Sequence, residues 1–263
     1  MDGVAGIDID GHVEALRERG FTVLPGLHRE EDAHAVRACL LDLHGSMESP
    51  PGGDPSHPAL RPGVEVSPAG MVFHRLAAER PDIVPRLLHP TAVQVVRGLL
   101  GEDMFLELLA GVVSDHHRPF FEWHTHVGGV DDESTGYNRE FPTFTRSERV
   151  TMLHYVEGLT DDNGPLLVLP RRVDEGTEPP YPTSQEQWPG QVELLCPPGS
   201  VVILEQSTWH AACRRKTPGL RLYTGFYFAA AGAAKNPVFD ETLRDYAGSD
   251  ALFRSVLAGP PAV

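Results

Sequence analysis

The sequence predicts an α+β protein that is mainly β, with a double-stranded β-helix (jelly-roll) core and buttressing helices packed on one sheet. Two observations predict this class. The first third of the chain has the apolar spacing of amphipathic helices, whereas the apolar runs after Glu102 are short, rich in Val, Leu, Tyr and Phe, and separated by turn residues. Strands at this spacing, without helices between them, favour an antiparallel sandwich or barrel over a βαβ sheet.

The N-terminal part, residues 1–102, is predicted to be rich in helices around one short strand. Residues 20–27 alternate and include β-branched side chains, as a strand does, and residues 29–43 carry apolar side chains at helical spacing after an acidic start. Residues 49–68 are rich in Pro and Gly, which predicts a loop. Three further helices are predicted at residues 70–79, 81–88 and 90–100.

The jelly-roll core is predicted over residues 103–230 and a C-terminal extension over residues 231–263, all within a single domain of residues 1–263. Single β domains often run to about 200–250 residues, and 41% hydrophobic residues supply one sizeable core. The polar stretch at residues 128–139 is expected to act as a mobile lid. The six strands predicted for the core are residues 105–113, 149–156, 166–169, 191–195, 200–204 and 221–229.

The chain is strongly acidic, which argues against nucleic acids and membranes as partners. Its 22 Lys and Arg residues against 37 Asp and Glu residues leave a formal net charge of -15, and such a surface repels phosphate backbones and anionic lipids. The N-terminus lacks a signal-peptide pattern, and the three cysteines share no metal-ligand spacing. We therefore expect a cytoplasmic protein. A homo-oligomer or a partner subunit is compatible with the sequence, which has no coiled-coil signal.

Histidines are concentrated in one short segment. Four of the 13 fall within eleven residues, at His116, His117, His124 and His126. In an extended strand residues i and i+2 point to the same face, so His124 and His126 would project together, as two ligands of one metal ion must. His210, in the segment TWHAA, is the best candidate for a third ligand. Taken alone, an H-x-H pair is equally well explained as a polar strand edge.

Five segments of the chain carry a family pattern when they are taken in order: GFTVLPGLHREEDAHAVRACL, HPTAVQVVRGLLGEDMFLELL, FEWHTH, GLTDDNGPLLVLPRRV and PPGSVVILEQSTWHAACRRKTPGLR. Together they resemble the phytanoyl-CoA dioxygenase family of non-haem iron, 2-oxoglutarate-dependent oxygenases, with H-x-H in place of that family's H-x-D. The resemblance spans roughly residues 20–230. It implies a jelly-roll dioxygenase that uses Fe(II), 2-oxoglutarate and O₂ to oxidise a small molecule, by hydroxylation or a related C–H oxidation.

The resemblance also implies roles for individual residues. His124 would be the first iron ligand and His210 the distal histidine. Arg221, eleven residues after His210, stands where the family places the arginine that binds the far carboxylate of 2-oxoglutarate, and a guanidinium fork is well suited to a carboxylate. Thr151, on a strand that can face inward, is a further candidate for contact with the same co-substrate.

His126 stands where the family has an acidic metal ligand, and this difference leaves several arrangements of the metal site open. With His126 as a third neutral ligand, Fe(II) would keep its full +2 charge, which one carboxylate would otherwise reduce. Such a site would bind 2-oxoglutarate with Arg221 at its far end, or bind an anionic substrate directly without the oxoacid. Alternatively, Glu122, Asp131, Asp132 or an exogenous anion replaces His126 at the metal. A catalytically inactive metal-binding jelly roll and a zinc hydrolase are the remaining alternatives.

Three residues are candidates for contact with the substrate. His154 lies on a strand expected to flank the site, where it either hydrogen-bonds substrate or is a core histidine. Glu122 shares the strand parity of His124. Arg171 follows a turn near the expected mouth of the site and would meet an anionic substrate, although a solvated turn explains it equally well. The Ala-, Arg-, Gly- and Pro-rich composition suggests a bacterial source, and natural-product biosynthesis is the expected role.

Overall fold

Two antiparallel sheets make up the core of the computed structural model, which describes residues 6–47, 62–127, 141, 143–234, 236, 239–246 and 250–257. In chain order the described strands are β1 (Phe21–Leu24), β2 (Val64–Ser67), β3 (Gly70–Phe73), β4 (Phe105–Asp115), β5 (Phe121–His124), β6 (Arg149–Tyr155), β7 (Leu166–Val168), β8 (Val192–Leu194), β9 (Ser200–Glu205), β10 (His210–Ala212) and β11 (Leu220–Ala229). The larger sheet has the order β1-β9-β6-β11-β4-β3-β2, and the smaller sheet has the order β5-β10-β7-β8.

Helices cover the outer face of the larger sheet. Leu16, Val36 and Val96 project from three of these helices into one apolar cluster with Met152 and Phe226 of the sheet. Burying an amphipathic face in this way supplies most of the stability that short helices lack in isolation. The described helices are α1 (Ile9–Arg19), α2 (Glu30–Gly45), α3 (Leu76–Glu79), α4 (Pro90–Leu100), α5 (Ala251–Ser255) and two 3-10 helices at Pro81–Arg86 and Glu241–Tyr246.

Side chains along the strands of the larger sheet point alternately to its two faces, and each face packs into its own apolar core. On β6, Val150 and Met152 face the helices, whereas Leu153 and Tyr155 belong to a second cluster that includes Leu166 of the smaller sheet. Because successive side chains point to opposite faces, β6 is buried on both sides. The predicted jelly-roll class with helices packed on one sheet is therefore confirmed, and the inward-facing side chains of both sheets meet in the space between them.

Three tryptophans cover the outer face of the smaller sheet. The rings of Trp123 and Trp188 are stacked with centroids 4.3 Å apart, and the Trp209 ring lies 5.5 Å from that of Trp188. All three are buried. Trp123 directly precedes His124, and Trp209 directly precedes His210. Since neighbouring residues of a strand face opposite ways, the packing of these indoles outward directs both histidines toward the larger sheet.

Several predictions for the N-terminal part are wrong. The helix predicted at residues 70–79 begins with strand β3, and only its end, α3, is helical. The run GMVF of β3 is buried at every position, so it lacks the alternation that identifies a strand in a sequence. Residues 81–88 contain a 3-10 helix in place of an α-helix, and the described end of the loop predicted at residues 49–68 is strand β2. The N-terminal part therefore supplies three strands, not one, to the larger sheet.

Helix α1 has no counterpart among the predicted elements, although its cap signals are present in the sequence. The Asp8 side chain accepts a hydrogen bond from the Gly11 amide, and Gly20 ends the helix in the left-handed conformation at φ 75°. Within the helix only Val13 and Leu16 are buried, so its apolar periodicity is weak. In the part of the chain that the structure describes, no helix is both long and apolar enough to cross a membrane.

Candidate metal centre

A cavity of about 100 Å³ lies between the two sheets. We call it the central cavity. Its walls include residues from both sheets and from the N-terminal hairpin of β2 and β3, among them Glu65, His74, His124, His126, His210 and Arg221.

His124 and His210 meet because their strands are neighbours in the smaller sheet. β5 and β10 pair antiparallel, with His124 directly opposite His210, and the two ring centroids lie 4.1 Å apart. Both side chains are buried. The topology thus brings together two histidines that are 86 residues apart in the chain.

His126 completes a group of three histidines just beyond the end of β5. Its backbone amide donates to the Gln206 carbonyl at 2.7 Å, which fixes this residue beside the loop that leads into β10. Its ring centroid lies 4.8 Å from that of His210 and 5.4 Å from that of His124. One ligand nitrogen from each of the three histidines lies within 4.8 Å of the others. The structure therefore brings together all three residues predicted as metal ligands.

The tautomer of each ring suits metal binding. Nδ1 of His124 lies 2.7 Å from the Glu122 carbonyl oxygen, and Nδ1 of His210 lies 2.9 Å from the Thr208 carbonyl oxygen. A carbonyl oxygen only accepts, so Nδ1 carries the proton and Nε2 carries the lone pair. Nδ1 of His126 lies 2.6 Å from the Thr151 hydroxyl, which is able both to accept and to donate a hydrogen bond. Outer hydrogen bonds of this kind are what orient imidazole ligands in metal sites, so the residues present fit a divalent metal ion.

Electrostatics favours the neutral form of all three rings. Burial, and then the neighbouring histidines, hold the pKa of His124 well below its ordinary value, and the same two causes act on His126. Burial lowers the pKa of His210 to about 4. Neutral imidazoles are the form that binds metal ions. At neutral pH the cluster is therefore an uncharged set of three nitrogen donors.

A β-bulge in β5 removes Glu122 from the site. His124 pairs with His210, but Phe121 pairs with Ala212, so β5 has one residue more than β10 in this interval. Phe121 and His124 consequently both line the central cavity. The Glu122 side chain is exposed, and its carboxylate accepts a hydrogen bond from the Thr183 hydroxyl. The prediction that Glu122 shares the face of His124 is wrong. Asp131 and Asp132, like the lid predicted at residues 128–139, lie outside the described residues.

Thr151 contacts the metal-ligand candidate His126. It lies on the inward face of β6 and is buried. Its hydroxyl is within hydrogen-bond distance of His126 Nδ1. The contact that the structure gives Thr151 is therefore one that positions a histidine ring.

Arg221 forms one end of the central cavity. It lies on β11, is only 3% exposed, and donates from Nη1 to the Gly164 carbonyl at 2.6 Å. Its Nε has no hydrogen-bond partner among the described residues. Tyr155 and Tyr223 line the cavity next to it. A buried guanidinium with unused donor capacity beside a cavity can receive a carboxylate.

Arg118 is a second buried arginine, and it adds a second positive charge near Arg221. Sequence reasoning missed this residue. Arg118 is 2% exposed, and its guanidinium donates to the backbone carbonyls of Cys213 at 2.8 Å and Pro119 at 3.2 Å. Burial and the nearby Arg221 lower the pKa of Arg118 to about 9. The guanidiniums of Arg118 and Arg221 thus lie near each other, and both donate hydrogen bonds to backbone carbonyls. The only sequence signal was a single arginine next to the histidine-rich segment.

Two residues predicted to contact substrate lie elsewhere. His154 faces the helices, where its ring is buried and stacks on His28 with centroids 3.8 Å apart, and it is not among the described residues that line the central cavity. Arg171 is buried with its guanidinium donating to the Ser207 hydroxyl and lies 3.7 Å from the Glu205 carboxylate. It does not belong to the lining of the central cavity formed by the described residues.

The fold and the histidine cluster together define a jelly-roll protein that can hold one metal ion between its sheets. The phytanoyl-CoA dioxygenase (PhyH) family model matches residues 16–222. The chain therefore belongs to this family of non-haem Fe(II), 2-oxoglutarate-dependent oxygenases, and the predicted resemblance, enzyme class and cofactors are confirmed. No curated protein sequence matches the chain.

Solved structures with the same fold are distant in sequence. HygX from Streptomyces hygroscopicus, with nickel, 2-oxoglutarate and hygromycin B bound, is 16% identical, with a TM-score of 0.59 over 84% of this chain and 87% of HygX. EctD from S. alaskensis is 16% identical, with a TM-score of 0.61 over 92% and 83% of the two chains. The epimerase SnoN, in complex with Fe3+, alpha ketoglutarate and nogalamycin RO, is 17% identical, with a TM-score of 0.61 over 97% and 95%. At these identities the likeness shows the fold.

Proposed function

We propose that the chain holds one Fe(II) ion on His124, His126 and His210, binds 2-oxoglutarate with its far carboxylate on Arg221, and oxidises a C–H bond of a small molecule in the central cavity. The observation that carries this proposal is the convergence of three buried imidazoles whose Nδ1 atoms all lie within hydrogen-bond distance of an oxygen. Their Nε2 lone pairs then supply a common set of donors at one wall of a cavity that ends in a buried guanidinium.

Charge balance supports an oxoacid as the partner of this metal site. Three neutral histidines leave a divalent ion with its full charge. Arg221 and Arg118 add two buried positive charges whose described contacts are backbone carbonyls. Burying unpaired charge is costly, and a dianion that spans from the metal to Arg221 would offset that cost. The absence of the acidic ligand at His126 therefore strengthens the demand for an anionic co-substrate.

The residues of the chain would hold and orient the reacting groups. Bound Fe(II), together with 2-oxoglutarate and O₂, supplies the oxidising chemistry of the family. The carbonyls of Glu122 and Thr208 keep His124 and His210 in the ligating tautomer, and the Thr151 hydroxyl would do the same for His126 by accepting from Nδ1. Apolar walls that include Phe121, Val112 and Leu153 exclude water from the reacting position.

We further propose that the substrate is a small molecule and that the role is biosynthetic. The central cavity is lined by apolar and aromatic side chains with a few polar groups among them, as small-molecule sites are. SnoN, which has the same fold, comes from nogalamycin biosynthesis, and HygX binds hygromycin B. These names support a substrate of the natural-product kind for this chain.

An anaerobic Fe(II) titration with and without 2-oxoglutarate tests the proposal. The readout is the weak visible charge-transfer band that forms when the oxoacid chelates iron. The wild type should develop the band. His126→Ala should weaken both iron binding and the band, because one of three ligands is lost. Arg221→Ala should retain iron and need more oxoacid for the band, because the far carboxylate loses its partner. Arg172→Ala is the control, since Arg172 is exposed and pairs with Asp174.

Three results would contradict the proposal. Iron binding without any band would favour the alternative of a three-histidine dioxygenase that binds an anionic substrate directly. Unchanged iron affinity in His126→Ala would remove His126 from the ligand set. Failure of the wild type to bind iron at all would favour a non-catalytic jelly roll.

A further inference from the structure

A carboxylate and a histidine from the N-terminal hairpin form a polar pair on the wall of the central cavity. Glu65 lies on β2, and His74 directly follows β3. Oε1 of Glu65 lies 3.0 Å from Nε2 of His74. On this hairpin Val64 and Phe73 belong to the apolar cluster under the helices. Since side chains alternate along a strand, Glu65 and His74 face the other way, into the cavity that they line.

Two strands of the larger sheet, β3 and β4, separate Glu65 from Arg221. In the larger sheet β2 is three strands away from β11, which carries Arg221, and three strand spacings correspond to about 14 Å. The cavity therefore has a positive end at Arg221 and a negative end at Glu65. An anionic co-substrate is expected at the first end, which leaves the second end for another ligand.

Tyr227 connects the pair to the histidine cluster. Its ring centroid lies 5.5 Å from that of His126, and it lines the same cavity. Burial, with smaller contributions from Tyr223 and from Glu65, raises the pKa of Tyr227 above its ordinary value, which places the Glu65 charge within electrostatic range of this ring. A ligand bound at Glu65 would therefore lie beside an aromatic ring that contacts a metal-ligand candidate.

Glu65 and His74 both offer hydrogen-bond acceptors to a ligand. The hydrogen bond from His74 lowers the pKa of Glu65, so Glu65 is an anion at neutral pH, and its side chain keeps 40% exposure. When Nε2 of His74 donates to Glu65, Nδ1 is an acceptor, and this buried atom has no hydrogen-bond partner among the described residues. Carboxylate, imidazole nitrogen and a neighbouring aromatic ring are the groups that bind an organic cation.

We infer that Glu65 and His74 recognise a protonated amine on the substrate, so that the substrates of this chain are small organic ammonium compounds. This inference rests on the proposed function, because it assigns the substrate half of the same cavity. Glu65 does not belong to the metal-ligand group, since the described residues whose ligand atoms converge are the three histidines. Its role is therefore to position the substrate amine while a C–H bond faces the cluster.

Binding of a matched pair of probes tests the inference. Cyclohexylammonium and cyclohexanol have the same carbon skeleton, but only the first is a cation at neutral pH. Saturation-transfer NMR would measure the Kd of each probe with the full chain, both metal-free and loaded with Zn(II) and 2-oxoglutarate. The wild type should bind the ammonium roughly tenfold more tightly than the alcohol. Glu65→Gln should abolish this preference, and Glu14→Gln, which removes an exposed carboxylate of helix α1 outside the cavity, should keep it.

The outcomes separate this inference from the proposed function. Equal affinity of the wild type for both probes would overturn the inference even if the iron and oxoacid band forms. Loss of iron binding in Glu65→Gln would also overturn it, because Glu65 would then act at the metal. If the band fails in the wild type but the metal-free chain still prefers the ammonium through Glu65, the inference on ligand class stands. His74→Gln provides a second variant, which should reduce the preference while Glu65 remains.

Discussion

The Thr151 hydroxyl lies 2.6 Å from Nδ1 of His126, and this contact joins the two sheets at the candidate metal centre. Thr151 belongs to β6 of the larger sheet, whereas His126 follows β5 of the smaller one. The hydroxyl is buried and within hydrogen-bond distance of a ring that burial keeps neutral. The geometry of the third ligand candidate therefore depends on how the sheets are packed against each other.

Removing this hydroxyl should weaken metal binding. We expect Thr151→Val to raise the Kd for Fe(II) or Ni(II) by about 10- to 100-fold, because outer-shell partners of ligating histidines typically contribute that much. Anaerobic metal titration measures it. The control is Thr224→Val on β11, since the Thr224 hydroxyl is buried without a hydrogen-bond partner among the described residues. Equal losses in the two variants would mean that the effect comes from packing.

Arg118 should strengthen binding of the oxoacid without touching it. Its charge is buried next to Arg221, and burial, followed by repulsion from Arg221, lowers the pKa of Arg118 to about 9. A dianion near Arg221 would relieve this repulsion. We expect Arg118→Met to raise the Kd for 2-oxoglutarate roughly tenfold while the Kd for iron stays the same. Titration of the charge-transfer band measures both, and Arg172→Met at the exposed surface should change neither.

Buried histidines under the helices should make the metal-free protein sensitive to acid. Burial lowers the pKa of His28 to about 4 and holds that of His154 well below its ordinary value, with the other ring as a further cause for His154. In the unfolded chain both rings titrate near pH 6.5. As the pH falls below 6.5 the unfolded chain therefore takes up protons that the folded chain does not, and stability decreases.

One substitution isolates this contribution. In His154→Phe the aromatic stack on His28 is kept, but one titrating ring is lost. The slope of the unfolding free energy against pH between 6 and 4.5 should decrease by about 1.4 kcal/mol per pH unit, which corresponds to one proton. Urea unfolding of the metal-free chain at several pH values measures the slope. An unchanged slope would show that His154 is protonated in the folded state.

Removing one partner of a buried ion pair in the larger sheet should be costly. Arg149 on β6 contacts Glu107 on β4 through two N–O distances of 2.9 and 3.1 Å, and the Asn236 amide donates to the same carboxylate. Both charged side chains are almost fully buried. We expect Glu107→Gln to cost about 3–5 kcal/mol, because Arg149 keeps its charge without its partner. The double variant Glu107→Met with Arg149→Met should recover most of that loss in urea unfolding.

The sequence predicted the candidate ligands, but the strand geometry on which that prediction depended is present only in part. His124 and His126 were expected on one face of a strand, and both do line the cavity. However, β5 ends at His124, and its bulge exchanges the faces of Phe121 and Glu122. A rule of strict alternation therefore places Glu122 in the site and omits Phe121. Bulges depend on the partner strand, so the sequence of β5 alone does not reveal one.

Residues from the N-terminal hairpin were missed for a related reason. Glu65 was read as part of a Pro- and Gly-rich loop, and His74 as an ordinary residue of a helix, because β2 and β3 are four residues long and buried on one or both faces. Such short runs carry no decisive periodicity. The pairing of β3 with β4 is what makes them strands and turns Glu65 and His74 toward the cavity.

The sequence by itself determined the jelly-roll class, the family resemblance and the identity of three histidines and one arginine. It did so because strand spacing, turn residues and local motifs are encoded over short stretches of chain. Only the tertiary structure decided which partners these residues meet. Thr151 contacts a histidine, Arg118 joins Arg221, and Glu65 faces the cavity because of strand register and sheet packing. Those contacts join segments far apart in the chain, and no local pattern specifies them.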